Sequence, residues 1–116
     1  MNKVLLIDDE PSVAESVQHV LKGYKIVPAA SAAEGIAAAS SDDFQVVVVD
    51  LKMPGADGLE VVQRLHASRP RLPVILMTGF DSPEAAIEAM KLGAYDYIVK
   101  PDKLDDWQCN RKLRVS

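Results

Sequence analysis

Hydrophobic positions along this chain follow two alternating rhythms. Short apolar runs without polar interruption, Val4-Leu5-Leu6-Ile7, Val46-Val47-Val48-Val49 and Val74-Ile75-Leu76-Met77, alternate with longer segments in which apolar residues recur every three or four positions. The first rhythm suits a strand covered on both faces, the second an amphipathic helix. Five strand–helix pairs are predicted, with strands at Val4–Asp8, Lys25–Ala29, Gln45–Asp50, Pro73–Thr78 and Tyr95–Val99. Helix starts are marked by Pro11, by Ser31 with Glu34 as a capping box, and by Ser82-Pro83; Gly23 and Gly93 fall where a helix ends in a left-handed residue. Val13, Val17, Val20 and Leu21 give the first helix one apolar stripe, and Ala86, Ile87 and Met90 share a face of the fourth; both stripes are expected to be core.

Repeated strand–helix units imply an α/β domain with a parallel sheet. The second strand contains Pro28, which cannot donate to a ladder, and the fifth carries Asp96 between two tyrosines, so both are expected at edges. An open, doubly wound (βα)5 sheet of flavodoxin-like order 2-1-3-4-5 has those two strands outside and the three apolar ones inside.

Composition narrows the function classes. The 116 residues, 48% hydrophobic, are enough for one domain, and 13 basic against 17 acidic residues, without a basic run, offer no footprint for direct nucleic-acid binding. The single Cys109 has no partner for an internal disulfide and no ligand cluster nearby, and it is read as incidental. No apolar run is long enough to cross a bilayer and no signal peptide pattern is present, so a soluble, cytoplasmic protein without membrane attachment is expected.

In a 2-1-3-4-5 sheet, ligands bind beyond the carboxyl ends of the strands, where strand order reverses between strands one and three. Asp8-Asp9 and Asp50 end those strands, so three carboxylates are expected at one mouth, with Thr78 and Lys100 on the same rim. Three close carboxylates repel one another unless a cation neutralises them, and an all-oxygen set with room for water suits magnesium or manganese. A carboxylate can also act as a nucleophile toward phosphorus, with Lys100 and the Thr78 hydroxyl supplying positive charge and a donor.

The segments Ile7-Asp8-Asp9-Glu10, Asp50-Leu51-Lys52-Met53-Pro54-Gly55-Ala56-Asp57-Gly58, Met77-Thr78-Gly79 and Tyr97-Ile98-Val99-Lys100-Pro101 resemble the motifs of response regulator receiver domains of two-component systems. The resemblance runs from about Lys3 to Pro101, and Leu51–Leu59 together with Met77-Thr78-Gly79 and Ala89–Tyr97 is similar to receivers of nitrogen-regulatory-type transcriptional activators. It implies that Asp50 is the phosphoacceptor, that Asp9, Asp50 and the Lys52 backbone carbonyl ligate magnesium with Asp8 helping through water, and that Thr78 and Lys100 hold the phosphoryl oxygens. It further implies a switch in which Thr78 moves toward the phosphate and the Tyr97 ring turns inward, remodelling the face of the fourth helix, fifth strand and fifth helix. The implied partners are a sensor histidine kinase or phosphotransfer protein, docking on the first helix around Pro11, Ala14 and Glu15, and a second copy meeting that same face. One receiver domain over 1–116 is expected, either the N-terminal part of a transcriptional regulator or a stand-alone receiver. The domain is expected to be a signalling phosphoacceptor, not an enzyme acting on outside substrates, although it assists its own phosphorylation and dephosphorylation.

Simpler readings stand beside some of these. Asp57 is explained by capping the third helix, Tyr97 by an edge-strand ring with an exposed hydroxyl, and His19 and His66 by solvation. Pro54 and Gly58 shape a loop and start the third helix, Gly79 leaves space beside the phosphate, and Lys100-Pro101 suits a cis peptide in a tight turn. The stretch 102–116 departs from the family: Asp102 stands where an aromatic residue is common, and Leu104 and Trp107 make only a thin stripe for an atypical fifth helix or tail. Rival classes fare worse. A phosphatase of the haloacid dehalogenase type needs an Asp where Lys52 stands, a phosphorylation-independent pseudo-receiver lacks part of the acidic, hydroxyl or lysine set, and a dinucleotide-binding domain needs a Gly-rich turn after the first strand.

Overall fold

Strand position follows from which runs tolerate two covered faces. In the computed structural model, which describes residues 2–53, 56–78 and 83–99, the elements in chain order are β1 (Lys3–Ile7), α1 (Pro11–Val20), β2 (Lys25–Ala29), α2 (Ala32–Ser41), β3 (Val46–Asp50), β4 (Lys52–Met53), β5 (Ala56–Asp57), α3 (Gly58–Ser68), β6 (Val74–Thr78), α4 (Pro83–Lys91) and β7 (Asp96–Val99). The main sheet is parallel in the order β2-β1-β3-β6-β7. This is the expected 2-1-3-4-5 arrangement, because β4 and β5 form a separate two-residue antiparallel pair. The three uninterrupted apolar runs are the inner strands, and the strands carrying Pro28 and Asp96 are the edges, as their chemistry requires.

Side chains alternate across the sheet and build two cores. Leu5, Ile7, Val47, Val49 and Leu76 pack with Val61, Val62 and Leu65 of α3, Ala39 of α2 and Ala89 of α4. Val4, Leu6, Val46, Val48, Ile75 and Met77 pack on the other side with Val13, Val17 and Leu21 from α1 and its end. At roughly 1.5–3 kcal/mol for each large side chain taken out of water, these two layers clamp β1, β3 and β6 and fix where their carboxyl ends stand.

The helix signals behave as their chemistry predicts. Pro11 opens α1, the Ser31 hydroxyl accepts from the Glu34 amide at 3.2 Å, and Gly23 and Gly93 carry φ of 92° and 106° after α1 and α4. The apolar stripe expected on α4 is different. Ala86 and Ala89 face the core, whereas Ile87 is 61% and Met90 45% exposed. Small alanines let α4 lie close to the sheet, and that rotation turns the two larger side chains outward. The fifth helix expected over 102–116 and the Lys100-Pro101 peptide lie outside the described residues.

Candidate functional site

Register decides what meets at the reversal point. Ile7 pairs with Val49 across β1 and β3, so the next residues, Asp8 and Asp50, stand side by side at the carboxyl end of the sheet. Asp8 is fixed at both ends: its amide donates to the Ala29 carbonyl at 3.0 Å, and its carboxylate accepts from the Glu10 amide at 2.9 Å. Asp8 and Asp50 are each only 6% exposed, while Asp9 faces solvent. One carboxylate oxygen from each of the three lies within 4.8 Å of the others, the one such cluster among the described residues.

At that separation two full negative charges repel by about 3.5 kcal/mol for an effective dielectric constant of about 20. Ordering three such groups therefore favours a cation between them. The donor set fits a hard divalent ion, since all three ligands are carboxylate oxygens and the exposed side at Asp9 leaves room for water. Oxygens on opposite sides of a magnesium ion stand about 4.2 Å apart, so only a small contraction of the cluster is needed.

Beyond Asp50 the chain is held firmly. The Leu51 amide donates to the Met77 carbonyl at 2.9 Å and the Gly58 amide to the Leu51 carbonyl at 3.0 Å, which ties the loop to β6 and to the start of α3. Lys52, whose carbonyl is an expected ligand beside Asp9 and Asp50, stands opposite Asp57 in the β4–β5 pair. The Asp57 carboxylate accepts from the Leu59 amide at 3.0 Å and caps α3, the simpler of the roles open to it. This small pair has no hydrophobic signature and was not expected from the pattern.

Thr78 ends β6 one residue past Met77, the register partner of Asp50, and is 2% exposed. Its other neighbour is β7, where Thr78 pairs with Val99. Thr78, Tyr97 and Val99 line a groove of about 660 Å³ together with Pro83, Ile87 and Met90 of α4. Tyr97 is half-buried and packs on the core layer beneath α4. The structure thus brings Asp8, Asp9 and Asp50 together and connects Thr78 to Tyr97 through one groove. Lys100, with Pro54, Gly55, Gly79 and Pro101, lies outside the described residues. The groove was missed in the sequence because its apolar lining was assigned to the core; the alanines at 86 and 89, three apart on α4, are the signal that marks its buried face.

Comparison with known proteins agrees with this geometry. The response regulator receiver domain family matches residues 4–108. The C4-dicarboxylate transport transcriptional regulatory protein DctD of Rhizobium meliloti is 39% identical over 104 residues, covering 88% of this chain and 23% of DctD. The probable transcriptional regulatory protein TcrX of Mycobacterium tuberculosis is 38% identical over 105 residues, covering 89% of this chain and 45% of TcrX. The chain therefore spans less than half the length of either relative. Among solved structures, a response regulator receiver domain protein from Clostridium thermocellum superposes with a TM-score of 0.81 at 31% identity, over 94% of this chain and 90% of that one.

Proposed function

The chain belongs to the response regulator receiver domain family, and from that premise we propose that Asp50 is its phosphoacceptor and that the cluster with Asp8 and Asp9 holds a magnesium or manganese ion. The observation that carries this reading is the meeting of three carboxylates at the point of strand reversal, two of them nearly buried. A carboxylate oxygen of Asp50 attacks phosphorus, the donor departs with the electrons of the broken bond, and an acyl phosphate remains. The bound divalent ion supplies charge neutralisation for the transferring group.

Each side chain then has a defined task. Asp9, Asp50 and the Lys52 carbonyl would ligate the ion, and Asp8, fixed by the Glu10 amide, would help through water. Thr78 donates its hydroxyl to a phosphoryl oxygen, and Lys100 supplies the cationic contact. Thr78 and Tyr97 border one groove, so a Thr78 drawn toward phosphate vacates space into which Tyr97 turns. Phosphorylation in this reading is a local charge event that biases a two-state surface, the face of α4 and β7. The same residues promote later hydrolysis of the acyl phosphate.

The residues 1–116 act as one receiver domain, and the phosphodonor is a sensor histidine kinase or phosphotransfer protein that approaches over Ala14 and Glu15 of α1. The α4–β7 face then meets an output domain of a transcriptional regulator or a second copy of the chain. A cytoplasmic location suits these partners, and among the described residues no helix is long and apolar enough to cross a membrane. Intact-mass measurement after incubation with a small phosphodonor tests the reading. One phosphoryl group is expected on the parent with magnesium and none on Asp50→Asn; equal labelling of both overturns it.

A further inference from the structure

The outer edge of β2 offers the backbone of a parallel strand to any sixth strand, yet each donor along it is removed. The ladder phase is set by two bonds: the Lys25 amide donates to the Asn2 carbonyl at 2.7 Å, and the Ala29 carbonyl accepts from the Asp8 amide at 3.0 Å. Residues 25, 27 and 29 therefore face β1, and the amides of Ile26, Pro28 and Ala30 face outward. Ile26 donates to the Gln18 side-chain oxygen at 3.3 Å, Pro28 has no N–H, and Ala30 donates to the Glu34 carboxylate at 2.7 Å.

Gln18 does more than cover one group. Its amide nitrogen also donates to the Tyr24 carbonyl at 2.8 Å. In a parallel pair a residue on the neighbouring strand gives its N–H to one carbonyl and accepts at its own carbonyl from the residue two further on. The Gln18 amide does both, donating to Tyr24 and accepting from Ile26, and so stands where one residue of a sixth strand would stand.

We infer that Gln18, Pro28 and Glu34, from α1, β2 and α2, seal the β2 edge against strand addition, so that no second copy of the chain pairs there. Exposed strand edges are templates for association, and proline or covering side chains are the usual means of blunting them. The seal confines strand-mediated self-association to surfaces other than β2. It is independent of the phosphoacceptor site, whose residues it does not use.

Hydrogen exchange and sedimentation velocity test this on the whole chain. Gln18→Ala, at an exposed helical position, is expected to raise the exchange rate at Ile26 about tenfold, the loss of one hydrogen bond, with Val27 and Ala29 unchanged. Gln18→Ala/Pro28→Val is expected to self-associate more than the parent as concentration rises, with the amides at 26 and 28 regaining protection in the associated species. The inference is overturned by unchanged exchange at Ile26 in Gln18→Ala. It is equally overturned by a double variant that sediments like the parent, or one that associates without protecting 26 and 28.

Discussion

The main chain at Gly58 passes so close to Asp50 that a methyl group on Gly58 would sit 2.5 Å from the Asp50 carbonyl oxygen. The obstacle is backbone on both sides, because the next nearest atom is the Leu51 Cα at 2.7 Å, and no flexible side chain can move away. Gly58→Ala is therefore expected to lower stability by about 1–3 kcal/mol, the usual range for forced overpacking, and to slow labelling of Asp50 by shifting its loop. Denaturant unfolding and a labelling time course check both parts. Parent-like values in both would show that the loop relaxes freely.

Charge repulsion in the carboxylate cluster predicts an opposite response at Asp9. This side chain is exposed, so its substitution leaves no cavity, and its removal relieves like-charge contacts with Asp8 and Asp50. In a chelator, Asp9→Asn is expected to be more stable than the parent by about 1 kcal/mol, well below the pairwise figure because solvent screens an exposed group. Magnesium is expected to raise the melting temperature of the parent and to raise that of Asp9→Asn much less. Thermal melts with and without the ion report both effects.

Thr78 is expected to separate chemistry from signalling. Thr78→Val keeps a side chain of similar shape but removes the hydroxyl, costing about tenfold in labelling rate if a hydrogen bond to a charged group of about 1.5 kcal/mol is lost. Labelling should still occur, whereas phosphorylation-dependent NMR shifts at Ala86, Met90 and Tyr97 should largely vanish. Full-size shifts at those groove residues would remove Thr78 from the relay.

Gly93 and Gly23 form a natural comparison. Both have positive φ, but a Cβ at Gly93 would run into the His66 ring, while one at Gly23 meets nothing within 4 Å. Gly23→Ala is expected to cost about 1 kcal/mol of backbone strain, and Gly93→Ala more. His66→Ala should recover part of the Gly93→Ala loss and none of the Gly23→Ala loss. Urea midpoints of the four variants check the pattern.

One ion pair gives a pH signature. The Lys3 ammonium donates to the Asp42 carboxylate at 2.6 Å, and this bond, aided by the Asp43 amide, holds the Asp42 carboxyl below its ordinary value. A folded-state pKa below the unfolded one stabilises the fold above the unfolded pKa of about 3.9 and is lost as pH falls through the folded value. The stability difference between parent and Asp42→Asn should therefore be constant above about pH 5 and shrink in more acidic solution. Unfolding curves across that range would show it.

Much of this fold and site is legible in the sequence. Uninterrupted valine and leucine runs identified the inner strands, Pro28 identified an edge, and strand order alone then put Asp8, Asp9 and Asp50 together. What periodicity could not supply was rotation and fine pairing. An apolar count on α4 does not distinguish Ile87 from Ala86, because the choice is made by how closely the helix approaches the sheet. The Lys52–Asp57 pairing and the Gln18 contact with β2 were likewise invisible, since both depend on polar groups of separate elements meeting.

Whether phosphoryl transfer ends on the carboxylate of Asp50 is decided by chemical trapping. Borohydride reduces an acyl phosphate of aspartate to homoserine, so phosphorylated protein can be reduced, digested and mapped by peptide mass. Homoserine is expected at position 50, dependent on magnesium and absent without the phosphodonor. Homoserine at Asp8, Asp9 or another aspartate, or none in protein that carries a phosphoryl group, would contradict it.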